Sequence, residues 1–105
     1  MSLQQFLDDT MASFIGASIS RVTVTGDLAY RYRLSAHEVK EAARVQRLHD
    51  SEVSEYMRNN FNVQVSYDRN ATSFFIDIDL TRAILNPREA EFLSAAMETF
   101  RRNHL

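Results

Sequence analysis

Apolar residues recur at helical spacing from the start of the chain: Leu3, Phe6, Leu7, Met11, Phe14 and Ile15 fall on one stripe of a 3.6-residue period. Ser2 and Gln5 have the spacing of a capping box, and Gly16 stands where a left-handed glycine ends a helix. The pattern therefore predicts a helix over residues 2–15. From Ile19 to Leu34 the period changes to two and the composition to Val, Thr and Tyr, broken by Gly26-Asp27, which predicts a β-hairpin. A two-residue Gly-Asp loop would put Val22 and Val24 on one face with Arg31 and Arg33. A three-residue loop, Gly26-Asp27-Leu28, pairs Val24 with Tyr30 and Val22 with Tyr32 instead. Arg21, Thr23, Arg31 and Arg33 then share the opposite face, and this register is the expectation.

Ser35-Ala36-His37-Glu38 is a second capping box, opening a helix through Val39, Ala42, Ala43, Val45 and Leu48. The step from Leu48 to Val53 is out of phase, and Asp50-Ser51 offers a new cap before Val53, Tyr56 and Met57. Two helices, or one kinked near 49–51, follow, ending at Asn59-Asn60. Val63, Val65 and Tyr67 then alternate with polar residues, as do Phe74, Ile76, Ile78 and Leu80. An even-numbered loop around Asp68-Arg69-Asn70-Ala71 sets Tyr67 opposite Phe74 and Val65 opposite Ile76, so every apolar side chain lands on one face. Asn86-Pro87-Arg88-Glu89 stacks three helix-start signals, and Phe92, Leu93, Ala96, Met97 and Phe100 read as the buried stripe of a last helix.

The order α-ββ-α(α)-ββ-α predicts an α+β fold: an antiparallel four-stranded sheet of two hairpins with helices packed on one face. Residues 1–105 form a single domain, and 101–105 read as a short basic C-terminal tail. One face of four strands takes about two helices at ~10 Å packing distance. The pattern supplies three or four, so the surplus apolar surface predicts a homo-oligomer.

Composition narrows the function. Hydrophobic residues at 45% and charged residues at 25% are those of a globular protein. The chain has no cysteine, hence no disulfide, thiolate zinc site or cysteine nucleophile, which fits a reducing cytoplasm. The N-terminus lacks the basic region of a signal peptide, and no run approaches the ~20 apolar residues that span a bilayer. With two isolated glycines there is no glycine-rich phosphate loop, and no Gly-x-Ser-x-Gly elbow occurs. His37, His49 and His104 are scattered and lack metal-ligand spacing. Asp77-Ile78-Asp79 sets two carboxylates about 7 Å apart on one strand face, near enough to share a divalent cation, but pairing with Arg31 or Arg33 accounts for them as well. The expectation is a non-enzymatic protein without cofactor or metal.

Arginine supplies eleven of the twelve basic residues. Its planar fork suits carboxylate and phosphate oxygens and stacks on rings. Net charge is −2, yet residues 21–47 carry a local +3 and residues 48–79 a local −4. Tyr30-Arg31-Tyr32-Arg33 interleaves aromatic and basic residues as single-stranded nucleic-acid binders do, although Leu28 and Leu34 on the tyrosine face mark those tyrosines as core. Two readings follow. In the first, a small accessory or regulatory protein binds single-stranded nucleic acid, with Arg21, Arg31, Arg33 and Arg69 on phosphate, Phe75 as stacking platform, and Arg101 and Arg102 as a basic tail. In the second, the arginines form an ion-paired structural face, and the protein is an oligomeric interaction module, an adaptor or inhibitor. Arginines free of acids favour the first; salt bridges to Asp77 or Asp79 favour the second.

Overall fold

The apolar stripe that opens the chain does not stop at Gly16. The computed structural model describes all 105 residues, and in it the first helix, α1, runs over Leu3–Thr25. Ser18, Ile19 and Val22 prolong the stripe of Leu7, Met11 and Ile15, and all six are buried. This overturns the first hairpin and, with it, the four-stranded sheet. The physical reason is one of magnitude. Strand-favouring Val and Thr lose at most ~0.7 kcal/mol each in a helix, whereas burying a side chain such as Ile19 or Val22 gains about 1.5–3 kcal/mol. The threonine hydroxyls are accommodated by bonding back to the preceding turn, Thr23 to the Ser20 carbonyl (2.7 Å) and Thr25 to that of Arg21 (3.1 Å). The stop expected at Gly16 is supplied by Gly26, whose φ of 71° lets its N–H reach the Val22 carbonyl.

The chain continues as β1 (Ala29–Ser35), α2 (Ala36–Ala43), α3 (Asp50–Phe61), β2 (Gln64–Asp68), β3 (Ser73–Asp79) and α4 (Pro87–Asn103). Ser35 caps α2 through its side chain, Arg44 ends it in the left-handed region, and His49 precedes α3, so the out-of-phase step at residue 48 does mark two helices. The three strands form an antiparallel sheet in the order β1-β3-β2. The β2–β3 hairpin has the register its alternation predicts, with Tyr67 opposite Phe74 and Val65 opposite Ile76. β1 is an edge strand; it pairs Arg31 with Asp77, Tyr32 with Ile76 and Arg33 with Phe75.

Alternation gives the sheet two unlike faces. Tyr30, Tyr32, Leu34, Phe74, Ile76 and Ile78 turn toward α1, where Phe14 stacks on Tyr32 (centroids 4.5 Å apart) and the Ser18 and Tyr32 hydroxyls share a hydrogen bond of 2.8 Å. α3 is tied to α1 by the Tyr56 hydroxyl, which donates to Asp8 Oδ1 at 2.7 Å; this bond holds the phenol above its ordinary pKa. The other face carries Arg31, Arg33, Gln64, Ser66, Phe75 and Asp77 on its solvent side.

α4 begins where expected. Asn86 and Glu89 form a reciprocal capping box, with Pro87 at the first helical position. Its packing departs from expectation, because α4 lies along α1 rather than on the sheet and only Ala96 is buried. Leu93 and Phe100 are half-buried, while Phe92 is 52% and Met97 36% exposed. No helix is long and apolar enough to cross a membrane.

Candidate functional site

Of the seven residues proposed for binding, the fold places three together. Arg31 and Arg33 project from β1 onto the solvent face of the sheet, and Phe75 lies beside them on the central strand. The Arg31 guanidinium is 5.9 Å from the Phe75 ring centroid. It is also committed: its Nε donates to Asp77 Oδ1 at 2.7 Å and its Nη2 to Asp77 Oδ2 at 3.1 Å, a bidentate pair across the β1–β3 ladder. That carboxylate raises the pKa of Arg31 further above its ordinary value. Arg33 faces no carboxylate; its Nε donates to the Ser73 hydroxyl at 2.9 Å.

The other four lie elsewhere. Arg21 stands on α1, not on a strand, and its guanidinium lies 6.0 and 5.9 Å from the Tyr30 and Tyr32 ring centroids, on the helix side of β1. Arg69 occupies the β2–β3 turn, beyond the Asp68–Ser73 pair that closes the hairpin ladder. Arg101 and Arg102 belong to the last turn of α4 and both bond to Glu98, at 3.2 and 3.3 Å, so they sit on a helix where a free tail was expected.

The Asp77–Asp79 pair also resolves. Asp77 is taken by Arg31, and Asp79 Oδ1 accepts from both the hydroxyl and the N–H of Thr81, at 2.7 and 3.0 Å. Those two bonds, and then the charge of Arg82, hold the Asp79 carboxyl below its ordinary range. No group of three or more acidic, histidine or cysteine side chains is gathered to hold a metal ion. These aspartates do help to line a cleft of about 650 Å³ at this end of the sheet, where Arg31 meets Arg58 and Arg82. The sequence pointed to neither arginine. Arg58 arrives because Asn62, in the left-handed region at φ 54°, turns the end of α3 back toward the strands, and Asn62 Nδ2 donates to the Arg82 carbonyl at 2.9 Å. Asn62 itself was the available signal, since asparagine tolerates the left-handed region; the Asn59-Asn60 pair expected to end the helix lies inside α3.

The remaining surface of note is the ridge formed by α4 on α1. One flank is a groove of about 310 Å³ between Gly16, Ser20 and Thr23 on α1 and Phe92, Ala95 and Thr99 on α4. The other, about 290 Å³, runs between Val22, Gly26 and Leu28 and the side chains of Met97 and Phe100. Gly16 lies mid-helix with no atom within 4 Å of where a Cβ would stand. An interior glycine costs roughly 0.5–1 kcal/mol relative to alanine, and nothing within the chain requires one there.

No family model, curated protein or solved structure matches this chain.

Proposed function

We propose that the protein is an oligomeric interaction module that assembles through the α1–α4 ridge, with the Arg31–Asp77 pair serving the sheet rather than a ligand. The observation that carries this reading is the amount of surface left uncovered. The accessible surface is 6910 Å², about 900 Å² more than the roughly 6,000 Å² of an ordinary folded monomer of 12.1 kDa. Each partner in a standard protein–protein interface hides about 800 Å². The radius of gyration, 14.9 Å, likewise exceeds the ~13 Å typical of this length, because α4 rides outside the core instead of joining it. Phe92, half in water, sits on the groove beside the open position at Gly16, where a second chain can approach closely.

Light scattering at micromolar concentration should give a mass above 12.1 kDa. Phe92→Asp should return it to the monomer without lowering the melting temperature of the monomer by more than a few degrees, since the ring is not part of the core. A wild-type monomer at these concentrations, unaltered by Phe92→Asp, overturns the proposal.

A second reading is supported by the position of Phe75, an aromatic on the central strand of the solvent face with Arg31 and Arg33 beside it. Single-stranded nucleic acid binds such surfaces by stacking on the ring and contacting the arginines. The engaged Arg31 and the nearby carboxylates weaken that case. If it holds, Arg31→Ala with Arg33→Ala should flatten the salt dependence of oligonucleotide affinity by about 0.7 per lost contact. Phe75→Ala should weaken binding by ~1–3 kcal/mol at unchanged slope. Negligible affinity of the wild type for single-stranded DNA and RNA rejects it.

A further inference from the structure

The three arginines that stood out in the sequence do not share a face, yet they meet at one place: Arg21, Arg31 and Arg33 flank the open edge of β1 from its two sides. The ladder settles which backbone groups that edge presents. Leu80 N–H donates to the Leu28 carbonyl at 2.8 Å and Ala36 N–H to the Thr72 carbonyl at 2.9 Å, so the even-numbered residues of β1 bond inward to β3. By the alternation of an antiparallel pair, Ala29, Arg31 and Arg33 turn their N–H and C=O groups outward. No second strand takes them, no turn or loop backbone bond reaches them, and all three residues are exposed.

We infer that the β1 edge accepts an extended acidic segment of a partner protein, which adds as a fourth strand beside Ala29–Arg33. Main-chain bonding to the outward N–H and C=O groups would supply affinity and register. Side chains on an added strand alternate between its two faces. Those on the solvent side meet Arg31 and Arg33. Those on the helix side meet Arg21, whose guanidinium is already held near the Tyr30 and Tyr32 rings. Arg21 makes no salt bridge and Arg33 bonds only a hydroxyl, so two of the three forks are free for carboxylates. Charge also disfavours a second copy as the occupant. An antiparallel β1–β1 pair centred on Tyr32 would set Arg31 against Arg33, and like charges directly opposite are destabilising. Without a partner, the same arginines keep the edge from pairing with copies of itself.

The inference concerns a surface separate from the α1–α4 ridge and does not depend on it. It can be tested with an end-blocked heptapeptide of sequence Thr-Glu-Glu-Thr-Glu-Glu-Thr, which sets glutamates on both faces of a strand, a lysine counterpart, and the glutamate peptide N-methylated at every backbone nitrogen. Saturating glutamate peptide should slow amide hydrogen exchange at Arg31 and Arg33, which the lysine and N-methylated peptides should leave unchanged. Arg21→Ala with Arg33→Ala should weaken the glutamate peptide by about tenfold, the sum of two exposed charge contacts, at unaltered melting temperature. Binding should persist in Phe92→Asp, which separates the edge from the ridge. Three results overturn the inference: no slowing at Arg31 and Arg33 at millimolar peptide, equal binding of the N-methylated peptide, or displacement of the peptide by a single-stranded oligonucleotide with the same protection of the two amides.

Discussion

Replacing Phe74 by alanine should cost about 3–5 kcal/mol, the range for deleting a fully buried phenyl ring. Phe74 is 0% exposed and lies on the central strand, between Leu34 on one neighbour and Tyr67 on the other, with the Tyr67 ring 4.8 Å away. Both neighbours are fixed by ladders, so the site cannot close around the gap. For a domain of this size the loss should lower the melting temperature by roughly 15–30 °C, and it takes a third or more of a typical total stability. Phe92→Ala, melted at a concentration low enough to keep the chain monomeric, should cost no more than ~1 kcal/mol, since half of that ring is already in water. Equal losses in the two variants would mean that α4 packs far more tightly than its exposure indicates.

The contrast between these phenylalanines shows where sequence reasoning reaches and where it stops. Period-two alternation identified the β2–β3 hairpin and its register, because a one-residue slip would have moved Phe74, Ile76 and Ile78 into solvent. Capping chemistry located the starts of α1, α2 and α4, since those signals are local and their partners lie three residues away. What failed was the choice between two periods in residues 16–25. Val22 and Val24 alternate as a strand would, but Val22 also continues the Leu7–Met11–Ile15 stripe, and only burial against the sheet decides between them. Gly16 compounded the difficulty. A glycine marks a helix end when φ is positive, and the sequence does not carry φ. The same limit applied to α4, whose apolar stripe was legible although its partner was not. The stripe meets α1 alone, and half of it stays in water.

The candidate site suffered from that one misassigned element. With residues 19–25 in a strand, Arg21 joined Arg31 and Arg33 on one face, and a contiguous basic surface followed. With those residues in α1, Arg21 moves to the helix side of β1, and the basic surface becomes an arginine-flanked edge. Cross-strand pairing of Arg31 with Asp77 was an explicit alternative from the sequence, and the register of β1 on β3 supplies it. An exposed pair of this kind is screened by solvent and adds little to stability. It therefore favours a particular alignment of β1 more than it stabilises the fold.

Gly26→Ala should be the most damaging change outside the core. Gly26 carries φ 71° at the end of α1, a conformation that costs an L-residue roughly 1–2 kcal/mol. A Cβ there would also clash with Cζ of Phe100, and two more ring carbons would lie within 2.9 Å. Relief requires the ring to swing off α1, or α4 to shift along it, a further ~1–3 kcal/mol by the measure of overpacked sites. The expected total is about 2–5 kcal/mol, read as a shift in the denaturation midpoint at constant slope. The two contributions separate in a double-mutant cycle. In a Phe100→Ala background the clash is gone, so Gly26→Ala should cost only the ~1–2 kcal/mol of backbone strain. A Gly26→Ala loss of the same size in both backgrounds would mean that Phe100 does not pack against the end of α1. α4 would then be anchored by its first turns alone, and the ridge proposed for assembly would lose its C-terminal half.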